Sequence, residues 1–257
     1  MTEVHAAAAI AYRDVLKFLR DRARIVGTFV FPIVFVVILG QSFNTGADFG
    51  YDYRTFVFLG VLGQTLFQSS ALGMISLIED RENDFSQAIF VAPISRYTIV
   101  LGKIGGEGIV ALVQGLFILA FGLLIRVPLD WPQLLAMLPA AVAICLFGGA
   151  FGLLVMANLG GQRAANQVFP FLMLPQFFLA GVFNPIANLG PVLSIASAAA
   201  PMRYAVDLLR GLYYAGRPEH AQVVLLPVAW NLAVIAVVGT ALLLAGTAMF
   251  VRRERNR

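Results

Sequence analysis

Four of the chain's 14 carboxylates cluster in one short segment. Glu79, Asp80, Arg81, Glu82 and Asp84 fall within six consecutive positions, followed by Phe85, Phe90 and a closing Pro93. Four acids on so short a segment make a charged face suited to a partner's basic rim. Residues 86–91 can form a short helix with Phe85 and Phe90 as anchors, ended by Pro93 because the residue before a proline is pushed out of helical geometry. The interior Ile89, Phe90 and Val91 argue against a plain solvated loop.

Catalytic machinery is not visible. The 2 histidines, His5 and His220, lie outside the apolar runs, and no H-E-x-x-H, G-x-S-x-G or C-x-x-C occurs, so no catalytic residue and no metal ligand is assigned. The pair Gly102-Lys103 lacks the glycine five positions earlier, and Ile104 stands where a magnesium-holding Ser or Thr would be needed. The chain cannot bind ATP in that way, and no cofactor is expected in it. Ion-coupled transporters mark their route with intramembrane acids or histidines. Here the only acid inside an apolar run is Glu107, four residues after Lys103. A local ion pair is the simpler reading, in the weaker orientation for a helix; a proton relay is the other.

Amides are the polar groups that do enter the apolar runs: Gln64 and Gln68 on a stripe with Gly60, then Gln114, Asn166, Gln167 and Gln176. Interhelical hydrogen bonds between such groups contribute about 0.6–2 kcal/mol in a membrane. They could equally form a weakly polar cavity wall for an amphipathic substrate, and both readings stay open.

The elements that position these groups follow from hydropathy. Of 257 residues, 60% are apolar and 12% charged, and the mean hydropathy is +0.83. Soluble domains carry about 25% charged residues, so this is membrane composition. A span needs about 20 apolar residues to cross about 30 Å of hydrocarbon. Six runs are read as spans: Ile25–Phe43, Phe56–Ile78, Ile99–Ile125, Leu134–Ala157, Val168–Val182 and Val223–Val251. The run at Ile25 has no small-residue cleavage site behind it and is expected to be retained. Cys145 lies within a run and, as the single cysteine, forms no intramolecular disulfide.

Of the 18 Lys and Arg residues, all but Arg54, Arg126, Arg203, Arg210 and Arg217 fall on the side that holds both ends and the acidic segment. Cytoplasmic loops carry that excess, so both termini are expected in the cytoplasm. The basic balance is thereby explained by orientation, and no nucleic-acid partner is expected. Before the first run, Ala8, Tyr12, Leu16, Leu19 and Ala23 share a helical face, with Arg13, Lys17, Arg20 and Arg24 on its flank and Asp14 and Asp21 opposite. That pattern describes a helix lying on the cytoplasmic surface. Between the fifth and sixth runs, residues 186–200 are too short for a comfortable crossing and are broken by Pro191. A re-entrant pair of short helices is expected there, its second helix carrying a salt-bridge ladder of Arg203, Asp207 and Arg210. The fold class is therefore an all-α integral membrane protein with six spans, an N-terminal interface helix and a re-entrant hairpin. One domain is expected: 1–24 surface helix, 25–182 five spans with the coupling segment 79–98, 183–222 hairpin, 223–251 last span, 252–257 tail.

The order of these elements, with EDREND…VAPISRYTIVLGK between the second and third runs and FLAGVFNP…APMRYAVDLLRG before the last, resembles the permeases of type-2 ABC exporters, in particular the daunorubicin-resistance-like branch. The family's Glu-Arg-Glu motif stands here as Asp80-Arg81-Glu82-Asn83-Asp84. The resemblance implies a coupling helix seated in a separate ATP-binding subunit, contacted by Glu79, Asp80, Arg81, Glu82, Asp84, Phe85, Phe90 and Pro93, with Arg163 in the 158–167 turn as a second contact. It implies two copies of the chain, two ATPases holding ATP and magnesium, and a plasma-membrane location in contact with lipid. A cavity lined by Gln64, Gln68, Gln114, Asn166, Gln167 and Gln176 would pass a drug, lipid or glycolipid to a gate at Phe183, Pro185, Pro201, Arg203, Asp207 and Arg210. The alternative from another class is a stand-alone ion-coupled transporter.

Overall fold

The computed structural model describes residues 3–42, 50–82 and 95–255. Among these, every regular element is a helix: α1 Glu3–Arg20, α2 Arg22–Ser42, α3 Tyr53–Gly73, α4 Ile75–Glu82, α5 Arg96–Leu124, α6 Trp131–Ala157, α7 Gln162–Leu179, α8 Pro191–Ala199, α9 Pro201–Tyr213, α10 His220–Val223 and α11 Val228–Arg255. The starts are chemically marked. Asp52 caps α3 by accepting from the backbone N–H groups of Arg54 (3.2 Å) and Thr55 (3.3 Å), and Ser95 Oγ caps α5 by accepting from Thr98 N at 3.1 Å.

Among the described residues, four stretches are long and apolar enough to cross a membrane: Tyr53–Asp80, Arg96–Leu124, Trp131–Ala157 and His220–Arg253. They coincide with the second, third, fourth and sixth apolar runs. The fifth run is helical, as α7, but does not reach that standard; the first run, helical as α2, extends beyond the described residues. In α7 the reason is plain: 18 residues rise only about 27 Å, its first turns are polar, and Pro170 and Pro175 interrupt it. The helices α8 and α9 meet at an 85° bend between Ala199 and Pro201, where the proline cannot continue the first helix.

The core is built around α3, whose span is 89% buried while that ending in α11 is 28% buried. Small residues allow this close packing. A Cβ on Gly148 or Gly152 of α6 would collide with the carbonyl oxygen of Phe67 or Ala71 on α3. The same four-residue spacing recurs in α5. Gly102 sits under Ala7 and Gly106 under Ala11, where an added Cβ would be 3.1 Å and 2.8 Å from the respective Cα atoms. Helix α1 is therefore pressed onto α5. The residues it buries are Ala6, Ile10, Asp14 and Phe18. The expected apolar stripe is a different face: Ala8, Tyr12, Leu19 and Ala23 are exposed, and α1 packs on α5 with the face that carries Asp14.

Candidate functional site

Docking α1 against α5 and α4 assembles a network of charges. Lys103 Nζ, with a side chain only 1% exposed, lies 3.1 Å from Asp14 Oδ2 and 2.6 Å from Asp80 Oδ2, and donates to Ser76 Oγ at 3.1 Å. Arg13 pairs with Asp14 at 3.0 Å and also with Asp80, and Lys17 reaches Asp80 at 3.5 Å. Beside them, Arg24 Nη2 pairs with Glu107 at 3.2 Å, whose other carboxylate oxygen accepts from Ser76 Oγ at 3.1 Å. The expected local pair of Lys103 with Glu107 is replaced by these two pairings across helices. Buried charge is tolerable only when paired and hydrogen-bonded, and each acid here has a cation from another element. Four helices, α1, α2, α4 and α5, are thereby tied together at one end of the bundle.

Next to this network, α2, α3 and α5 leave a polar groove of about 290 Å³. It is lined by Arg24 and Thr28 from α2, by Gln64, Thr65, Gln68 and Ser69 from α3, and by Gln114 from α5. The i, i+4 spacing of Gln64 and Gln68 lets Gln64 Nε2 donate to Gln68 Oε1 at 3.1 Å. The oxygens Gln64 Oε1, Gln114 Oε1 and Ser69 Oγ are buried without a hydrogen-bond partner. Buried polar atoms normally have one, so these three oxygens are exceptions in the packing behind the groove.

The structure brings Gln64, Gln68 and Gln114 together and leaves the other three amides elsewhere. Gln176 is buried between α7 and α9, its Oε1 accepting from Met202 N at 3.2 Å and its Nε2 donating to Leu172 O at 3.4 Å. It follows the helix-packing reading. Asn166 and Gln167 are exposed on α7.

The acidic segment divides as well. Asp80 points into the buried network, while Glu82 accepts from Gln162 N at 3.0 Å and so caps α7. Glu79 is half-buried and Arg163 exposed. Asp84, Phe85, Phe90, Pro93 and the side chain of Arg81 lie outside the described residues.

On the hairpin the expected ladder is corrected. Asp207 accepts from Leu225 N (2.8 Å), Leu226 N (2.9 Å) and Asn231 Nδ2 (2.8 Å), tying α9 to the start of α11. Arg203 donates instead to Ser197 Oγ at 3.2 Å. Arg210 donates to Phe56 O and Val182 O at 3.0 and 3.3 Å, with its guanidinium 3.5 Å from the Phe56 ring centroid. The loop carbonyl of Val182, the Phe56 carbonyl of α3 and the N–H groups of Leu225 and Leu226 outcompete a side-chain pair that lay within one helix. Among the other hairpin residues, Phe183 accepts at its carbonyl from the Tyr53 hydroxyl at 2.6 Å. Pro185 is exposed and Pro201 opens α9 after the bend.

Sequence reasoning missed Asp14, Arg24 and Ser76, and read Lys103 and Glu107 as a pair. Two signals were present: an acid on the far side of an amphipathic helix, and a lysine inside an apolar run.

A family model described as ABC-2 type transporter matches residues 5–214. A relative named transport permease ycf38, from Cyanophora paradoxa, is 25% identical over 188 residues, covering 71% of this chain and 65% of its own length. Its namesake from Porphyra purpurea is 22% identical over 211 residues, covering 80% and 72%. A relative named multidrug ABC transporter permease YbhR, from Escherichia coli (strain K12), is 26% identical over 166 residues. That alignment covers 63% of this chain and 44% of the relative, so the chain matches less than half of that protein. The family match includes every residue of the buried network and of the groove, and the chain belongs to the ABC-2 type transporter family.

Proposed function

We propose that this permease is the membrane subunit of an ATP-driven exporter that moves a lipophilic or amphipathic substrate out of the cell. Membership of the ABC-2 family supports a membrane component that works with an ABC ATPase and does not itself hydrolyse ATP. In this reading two copies of the chain assemble with two ATP-binding subunits, which hold the ATP and magnesium. Both termini face the cytoplasm, six helices cross the plasma membrane, α1 lies along its inner surface, and the bent pair α8–α9 re-enters from outside. The exposed side chains Ala8, Tyr12 and Leu19 of α1 fit contact with lipid.

The observation that carries the reading is the polar groove beside the buried network. The groove supplies a place for a polar head, and the network ties its rim to the segment after α4, where the ATPase would push. Substrate would leave past the hairpin. Co-purification with the ATP-binding subunit is the test, with charge reversal at Asp84 and Arg163, each alone. Rim charges mainly steer and align partners, so either reversal should weaken association while membrane insertion persists. Unchanged association in both variants would remove these residues from the coupling surface.

A further inference from the structure

We infer that the end of α11, where it meets the end of α6, binds the head of an anionic phospholipid. This goes beyond the transport reading and rests only on α11 lying in a membrane. Ala157 and Asn158 at the end of α6, with Met249, Arg252 and Arg253 of α11, line an open cleft of about 430 Å³. It shares no residue with the groove between α2, α3 and α5. Arg253 Nη1 donates to Ala157 O at 3.0 Å and to Leu159 O at 2.7 Å. These bonds hold the guanidinium at the cleft and leave the N–H groups of Nε and Nη2 for a guest. Arg252 is exposed. No carboxylate of the described residues forms an ion pair with either arginine. Glu82, beside the turn that follows α6, is committed to Gln162 N.

Two accessible, unneutralised cations at one cleft call for an anion. Basic pockets between the ends of membrane helices bind anionic lipid heads, and a guanidinium fork fits phosphate oxygens two at a time. The surface inward of the cleft says that the anion comes from lipid. Val238, Leu242 and Ala245 precede Met249 at helical spacing and share its side of α11, and none of them is buried. The span that ends in α11 is only 28% buried, so a tail can lie along this face while the head sits between the arginines. A choline head would bring a trimethylammonium group against the same two cations, which repel it.

The test uses the full chain purified in neutral detergent, with native mass spectrometry reading lipid retention. The probes are phosphatidylglycerol and phosphatidylcholine with the same tails. The parent should prefer phosphatidylglycerol by about tenfold, the worth of one hydrogen bond between charged groups. Arg252→Gln should cut that preference by about threefold, the worth of one exposed charge contact. Arg252→Gln with Arg253→Gln should abolish it. Arg20→Gln with Arg22→Gln removes the same charge from exposed positions on α1 and α2 and should leave the preference intact. Arg253→Gln also frees two backbone carbonyls. Should the double variant not fold, Arg252→Gln alone carries the test. Equal retention of the two lipids by the parent, or an unchanged preference in Arg252→Gln, would overturn the inference. So would an equal fall in the Arg20 and Arg22 control, which would assign the preference to net charge. Displacement by free glycerol phosphate at the concentration at which the lipid binds would also overturn it, since the guest would then be a soluble anion. Binding is read without an ATPase, so its failure leaves the transport reading standing, and loss of ATPase association leaves the lipid site standing.

Discussion

Lys103 is the residue whose loss the fold should tolerate least. Its ammonium group lies between the buried carboxylates of Asp14 and Asp80, and removing one partner of a buried pair costs about 3–5 kcal/mol because the other charge stays behind. Lys103→Met should lower the thermal unfolding midpoint in detergent, and adding Asp14→Leu should recover part of the loss. Equal midpoints for parent and Lys103→Met would mean that the network contributes nothing. A second prediction concerns Glu3, which accepts from the hydroxyl of Thr98 and from Ser95 N. These bonds, that of Thr98 first, hold its carboxyl below the ordinary carboxylate range. A depressed folded value means that the stabilisation is present above the unfolded value and lost as pH falls through the folded one. Protection against hydrogen exchange at the start of α5, taken relative to the intrinsic rate at each pH, should be high at neutral pH and fall only in acid, and Glu3→Gln should remove that dependence. Protection indifferent to both would detach Glu3 from the cap. Little of this was legible in sequence. Gln64 and Gln68 could be read because they are four residues apart on one helix. Asp14 and Lys103 are 89 positions apart, and their meeting depends on how α1 docks.

Helices were the legible level. The apolar runs foretold α3, α5, α6 and α11 to within a few residues, because a membrane helix must be continuously apolar to satisfy lipid. Runs punctuated by proline and amide were harder, which is why α7 is a helix and yet falls short of a span by length and hydropathy. Which face of α1 is buried could not be read from hydropathy, since its packing rests on Gly102 and Gly106 in a different helix. Replacing Gly106 with Leu should lift α1 from α5, speed hydrogen exchange along α1 and expose Phe18. Unchanged protection of α1 would mean that close approach at this position is dispensable. The pair Gly148 and Gly152 sets the packing of α6 on α3 by the same contact, and its four-residue spacing was present in the sequence without being used.

Across the whole molecule, the network links the groove to α4, which leads into the segment proposed to meet the ATPase. Orientation is testable by single cysteines in a Cys145→Ala background. Asn188 should label from outside the cell and Ser95 should not; external labelling of Ser95 would reverse the topology. Family and membrane character were legible from the order of runs and two loop segments, whereas the groove needed three helices placed side by side. The most direct measurement of the central claim is uptake of a labelled amphiphile into inverted membrane vesicles containing the chain and its ATP-binding subunit. The account predicts accumulation that requires ATP and persists when an uncoupler collapses the proton gradient. Accumulation without ATP on an imposed proton gradient, abolished by the uncoupler, would contradict it and return the chain to an ion-coupled mechanism.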